Sequence, residues 1–144
     1  MESKEDINWV RNLITSVKDD PKREGLDRTP ERFLKSFRFL TSGYDVDIKM
    51  LLNDALFHEE ARDMVVIRDI EFYSLCEHHM LPFYGKVHVG YIPDGKIIGL
   101  SKVPRLIDVF ARRLQVQERF SHLLALALQE HLVPLGAGVV VEAQ

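Results

Sequence analysis

Apolar positions recur at helical spacing from the start of the chain. Ile7, Val10, Leu13, Ile14 and Val17, with charges between them, predict an amphipathic helix over residues 5–18. Asp20-Pro21 breaks it, and a polar stretch, Lys22 to Asp27, follows. Thr29 is placed as the N-cap of a second helix with Pro30 at its first position. Phe33, Phe37 and Leu40 line one face of that helix, and Gly43 is its expected C′ residue. A short helix is expected around 48–56. From Met64 the period changes. Met64 to Ser74 is rich in β-branched and aromatic residues and predicts a strand. Val87, Val89 and Tyr91 alternate with Lys86, His88 and Gly90, which predicts a second. Pro93-Asp94-Gly95 turns the chain into a third, Lys96 to Leu100. A long helical region carrying Leu106, Val109, Phe110, Val116, Phe120, Leu123, Leu124 and Leu128 comes next, with a break expected near Leu114. Pro134 and Gly136 end it, and Ala137 to Ala143 is a strand. A strand that arrives so late calls for a partner strand, from further along the chain or from another subunit.

The pattern divides the chain into an N-terminal helical segment, 1–60, and an α+β region, 61–144. A length of 144 residues suits one ordinary domain with its own core. Lys plus Arg number 19 and Asp plus Glu 22, a net charge of −3, so nothing in the balance argues for nucleic acid or a membrane surface. One cysteine excludes an internal disulfide and fits a reducing cytoplasm. No apolar run suggests export or a membrane span.

That single cysteine opens Cys76-Glu77-His78-His79. A thiolate and an imidazole three positions apart can grip one zinc ion from a single turn, although a catalytic zinc wants three protein donors. A lone C-x-x-H spacing is weak evidence, and the plainer reading is a buried cysteine beside surface histidines. Glu77 or His78 is available as an acid or base beside a bound water. Gly99-Leu100-Ser101-Lys102 with Arg105 lies where strand becomes helix, a place where backbone N–H groups and cations favour a phosphate. In Arg112-Arg113-Leu114-Gln115-Val116-Gln117-Glu118-Arg119, the Glu118 carboxylate can accept two N–H bonds from a guanine edge, and Gln117 can both donate and accept. By composition alone, the run reads as a charged helical face with ion pairs.

Taken in order, these pieces resemble the GTP cyclohydrolase I family over nearly the whole chain. The resemblance is carried by Asp20-Pro21 to Gly25-Leu26, Thr29-Pro30-Glu31-Arg32, Ser42-Gly43-Tyr44, Glu71-Phe72-Tyr73-Ser74 running into Cys76-Glu77-His78-His79, Gly99-Leu100-Ser101-Lys102, and Phe110-Ala111-Arg112-Arg113 through Gln117-Glu118-Arg119. It implies the tunnelling fold, an antiparallel sheet backed by helices and closed into a barrel by subunits, in a homodecamer of two pentamers with pockets between subunits. It implies Zn2+ held by Cys76 and His79, and His78 as the catalytic acid/base group. Gln117 and Glu118 are implied to hold the guanine edge, and Ser101, Lys102 and Arg105 the triphosphate. The reaction implied is zinc-assisted hydrolysis at C8 of GTP, with proton donation by His78, loss of formate and closure of 7,8-dihydroneopterin triphosphate, at the head of folate or tetrahydrobiopterin synthesis.

The family pattern continues past Gln144 with a His-x-Cys segment, which brings the third zinc ligand and a second catalytic histidine, then an arginine for phosphate and a further strand. Two other readings follow from the residues present. One is a non-catalytic tunnelling-fold subunit without the third ligand. The other is a zinc-free pterin or deazapurine enzyme of the same superfamily, with Cys76 as nucleophile.

Overall fold

In a computed structural model of the chain, residues 3–53 and 55–144 are described. They fall into two compact units that divide between Phe39 and Leu40. Residues 40–60, which the pattern groups with the N-terminal segment, thus lie with the second unit, where Leu52 joins the core.

The first unit is a pair of helices, α1 (Lys4–Ser16) and α2 (Thr29–Leu40). Ser3 caps α1 by accepting from the Asp6 N–H at 3.0 Å, and Asp6 in turn meets Arg38 at 3.5 Å. Val10 and Leu34 are buried, and Trp9, Phe33 and Phe37 form a run of rings with centroids 6.1 Å apart. Between the helices, Arg23 grips Asp19 with Nε and Nη2 at 2.8 and 2.9 Å. That grip, aided by the Asp20 N–H, holds the Asp19 carboxyl down at about 2. A lowered carboxyl contributes stability above its unfolded value and loses it as pH falls through the folded one. Arg23→Ala is therefore expected to return Asp19 toward 3.8, read by carboxyl NMR titration.

In the second unit, a 3-10 turn (Ser42–Asp45) and α3 (Ile48–Asn53) lead to β1 (Leu56–His58), β2 (Val65–Cys76), β3 (Pro82–Ile92) and β4 (Lys96–Ile98). Then come α4 (Lys102–Ala111), β5 (Leu114–Gln115), α5 (Gln117–Leu132) and β6 (Gly136–Ala143). The main sheet has the order β5-β2-β3-β6. It is antiparallel except for the short parallel pairing of Leu75 with Leu114 and Cys76 with Gln115. β2 carries a bulge between Ile67 and Ile70, with Asp69 at φ 59°. The extra residue switches the parity of the strand, so Val65 and Ile67 before it and Ile70 and Phe72 after it all face the same side. Those residues meet Val87, Val89 and Tyr91 of β3 and Val139 and Val141 of β6. The buried faces of α4 (Leu106, Ile107, Phe110) and α5 (Phe120, Leu124, Leu128, Leu132) cover them. Phe120 packs at a tilt against Phe72, with ring centroids 4.8 Å apart.

Two expectations change, and one is filled in. The segment Lys96 to Leu100 does not extend the meander. Only Lys96–Ile98 is extended, and it pairs with β1 in a separate two-stranded sheet, tied to β3 where the Ile98 N–H donates to the Tyr91 hydroxyl at 3.2 Å. The break expected near Leu114 is present, and a short strand fills it, because Leu114 and Gln115 complete the ladder of β2. Gly43 is not a C′ residue. It sits in the 3-10 turn without positive φ, and its lack of a side chain serves a close approach to α4.

Candidate active site

β2 ends in a tight turn. The Met80 N–H donates to the Cys76 carbonyl at 2.7 Å, the Cys76 N–H donates to the Leu81 carbonyl at 2.8 Å, and Met80 takes φ 55° to close the loop. This turn folds the side chains of the motif together. Cys76 Sγ lies 3.6 Å from His79 Nδ1 and 3.9 Å from His78 Nδ1. A thiolate and an imidazole sharing one tetrahedral zinc stand about 3.5 Å apart, from bond lengths near 2.3 and 2.0 Å. The closer pair has that spacing, so Cys76 and His79 fit as two donors of such an ion. Among the described residues no group of three histidine, cysteine or acidic side chains gathers to hold a metal.

The turn is tied to the start of α5. The Glu77 N–H donates to the Gln115 carbonyl at 3.0 Å. Both Glu77 oxygens accept from Arg119, one of them from Nη2 at 3.1 Å. Arg119 holds the Glu77 carboxyl below the usual carboxylate range. Gln115 is buried, and its Nε2 donates to the Phe110 carbonyl at 2.9 Å. Gln117 and Glu118 occupy the first turn of α5, and Gln117 Nε2 donates to the Val141 carbonyl of β6 at 3.2 Å.

The residues read as phosphate contacts stand elsewhere. Ser101 is exposed just before α4 and makes no side-chain cap bond. Lys102 Nζ donates to the Leu51 carbonyl at 2.9 Å. Arg105 is exposed beside a surface hollow of about 200 Å³ whose wall includes Ser42, Leu51, Asp108 and Arg112. Ser101 and Lys102 open α4, whereas its far end runs into β5 beside Cys76. A helix of 10 residues sets those ends about 15 Å apart. Within one chain, the thiolate–imidazole turn is linked to the start of α5 through Gln115 and Arg119, and Ser101 and Lys102 stand at the other end of α4.

Sequence reasoning passes over Arg119 as more than part of a charged run. Its partner is 42 positions away, and no local spacing signals the pairing. Gln115 is missed for a related reason: its burial depends on β5, a strand too short to show a period.

A mixed sheet backed on one face by two helices, with a Cys-x-x-His turn at a strand end, places the molecule in the α+β tunnelling-fold class. The chain belongs to the GTP cyclohydrolase I family, whose sequence model matches residues 7–144. It is 58% identical over 137 residues to a GTP cyclohydrolase 1 of Leptospira biflexa, covering 95% of this chain and 75% of that one. It is 56% identical over 137 residues to a GTP cyclohydrolase 1 of Campylobacter concisus, covering 95% and 72%. A Campylobacter jejuni GTP cyclohydrolase 1 is 54% identical over 135 residues, covering 94% and 71%.

Proposed function

We propose that this protein is a GTP cyclohydrolase I, a hydrolase that opens the guanine ring of GTP and releases formate and 7,8-dihydroneopterin triphosphate. One observation carries the reading: a Cys76–His79 pair at zinc-sharing distance, in a chain that matches the family over residues 7–144. Cys76 and His79 would hold Zn2+, with a further donor from outside the described residues. The ion, when bound, supplies Lewis acidity that makes hydrolysis feasible near neutral pH.

The remaining work falls to side chains. Glu118 accepts two N–H bonds from the guanine edge, and Gln117, already fixed by the Val141 carbonyl, lies beside it. His78, in the same turn as the metal pair, donates a proton to the imidazole ring nitrogen as the ring opens. Glu77 is unsuited to that proton transfer, because Arg119 engages both its oxygens. Ser101, Lys102 and Arg105 hold the triphosphate and contribute orientation. Their distance along α4 from Cys76 supports pockets shared between subunits of a homo-oligomer, as does the sheet face left exposed by Val66, Tyr73, Tyr84 and Val140. By resemblance that oligomer is a decamer. No helix among the described residues is long and apolar enough to cross a membrane. The lone cysteine suits the cytoplasm, where folate or tetrahydrobiopterin synthesis would draw on the product.

The test is direct. Zinc-replete protein given GTP should release formate and the pterin triphosphate in equal amounts. Glu118→Gln should lower kcat/KM about tenfold to a hundredfold, since one charged acceptor is replaced by a neutral amide. Absence of formate from the zinc-replete protein would end this reading.

A further inference from the structure

We propose that Arg119 is a positioning residue of the active site: by gripping Glu77 with both terminal guanidinium nitrogens, it locks the Cys76–His79 turn to the first turn of α5 and so sets the metal pair in register with Gln117 and Glu118. The inference rests on the functional reading above, because it takes Cys76 and His79 as metal donors and the α5 residues as guanine contacts.

The main-chain tie between the two halves is short. β5 contributes two residues to the ladder, and beyond Cys76 only the Glu77 N–H continues it, to Gln115. α5 begins without a side-chain cap, since Val116 occupies that position. Beyond these bonds, no main-chain hydrogen bond among the described residues ties the His78–His79 segment to the helix start. The side-chain pair supplies that constraint from both sides. Glu77 lies between Cys76 and the two histidines, so holding its carboxylate sets the orientation of the whole turn. Arg119 follows Glu118 directly, so the grip falls on the turn of helix that presents the guanine contacts. The same carboxylate stands 3.9 Å from His78 Nε2, which makes Glu77 the neighbour of the acid/base group as well.

The geometry favours arginine in particular. Its planar fork matches a carboxylate through two parallel bonds and fixes direction as well as distance, which an ammonium does not. Stability is a poor explanation for the pair. The Arg119 and Glu77 side chains remain 49% and 29% exposed, and ion pairs in water add little to folding. A merely structural pair would thus be close to silent when removed, whereas a positioning pair would change the chemistry while the fold stays.

The experiment compares wild type, Arg119→Ala, Arg119→Lys, Glu77→Ala and the Arg119→Ala/Glu77→Ala double variant, each as full-length protein carrying its metal. Three readouts are taken: kcat and KM for GTP, the thiolate charge-transfer band of the cobalt-substituted protein, and the thermal midpoint. Each alanine single is expected to lower kcat/KM about tenfold to a hundredfold, the range for outer partners of a metal site. Each should also shift the cobalt band while the thermal midpoint holds. The double variant should be no worse than either single, because both remove one interaction. Arg119→Lys should recover part of the loss. Wild-type kinetics and an unmoved cobalt band in Arg119→Ala would overturn the clamp alone, as would losses that multiply in the double variant. A wild type showing neither GTP hydrolysis nor a Cys76-dependent cobalt band would overturn the functional reading, and the clamp with it.

Discussion

Cys76→Ala is expected to strip the protein of stoichiometric zinc and to cut formate release from GTP by about a thousandfold or more. The sulfur is one of two donors brought together by the turn after β2, 3.6 Å from His79 Nδ1. Its loss leaves a single imidazole and whatever donor lies outside the described residues, too few to retain a catalytic ion. A bound metal contributes several kcal/mol to such a hydrolysis. Forfeiting about 4 kcal/mol corresponds to about a thousandfold in rate. The fold should survive. The main-chain bonds that shape the turn run from the Cys76 and Met80 N–H groups and do not involve the sulfur. Metal analysis, a formate assay and a thermal melt on the same sample read all three quantities. Full zinc with no turnover would point instead to Cys76 as a nucleophile. Full zinc with full turnover would remove Cys76 from the site.

The parts legible from the pattern are those whose residues act locally. α1, α2, β3 and β6 each bury one face along their own period, and that period is written in the chain. Cys76 and His79 are likewise separated by a single turn, so their spacing is itself the geometry. The losses have a common cause. β1 and β4 have three residues each and pair with one another across the fold, so neither shows a period long enough to read. β5 has two residues, and its extended form is imposed by the edge of β2. The parity switch at Asp69 is invisible in hydrophobicity, because a bulge appears only against its partner strand. Glu77 and Arg119 meet across 42 positions, and either residue alone looks like ordinary surface charge. Family resemblance names the candidate site as a set, but not the separation of Ser101 and Lys102 from Cys76, which depends on how α4 is laid between them.

Gly43→Ala is expected to destabilise the second unit strongly. Gly43 has an ordinary φ, so conformational freedom is not the reason for the glycine. A Cβ here would stand 2.1 Å from the Val109 carbonyl oxygen and 2.8 Å from that of Arg112, both backbone atoms of the α4 end that cannot swing aside. The turn must therefore lift off the helix. Lifting breaks the bond from the Gly43 N–H to the Arg112 carbonyl at 2.9 Å, and the two that Arg113 donates to the Gly43 carbonyl at 3.2 and 2.9 Å. Overpacking against fixed neighbours with the loss of such bonds costs about 3 kcal/mol. In a domain of this size that lowers the thermal midpoint by roughly 10 °C. Gly90→Ala is the matched control: a Cβ there meets nothing nearer than 3.7 Å and should leave the midpoint nearly unchanged. The damage should also reach the site. Arg113 precedes Leu114 and Gln115, the residues that hold Cys76 in register, so a displaced α4 end loosens the turn that carries the metal pair. Gly43→Ala should then lose turnover below its melting range, whereas equal midpoints for the two alanine variants would show that α4 yields and that the contact is not what demands glycine.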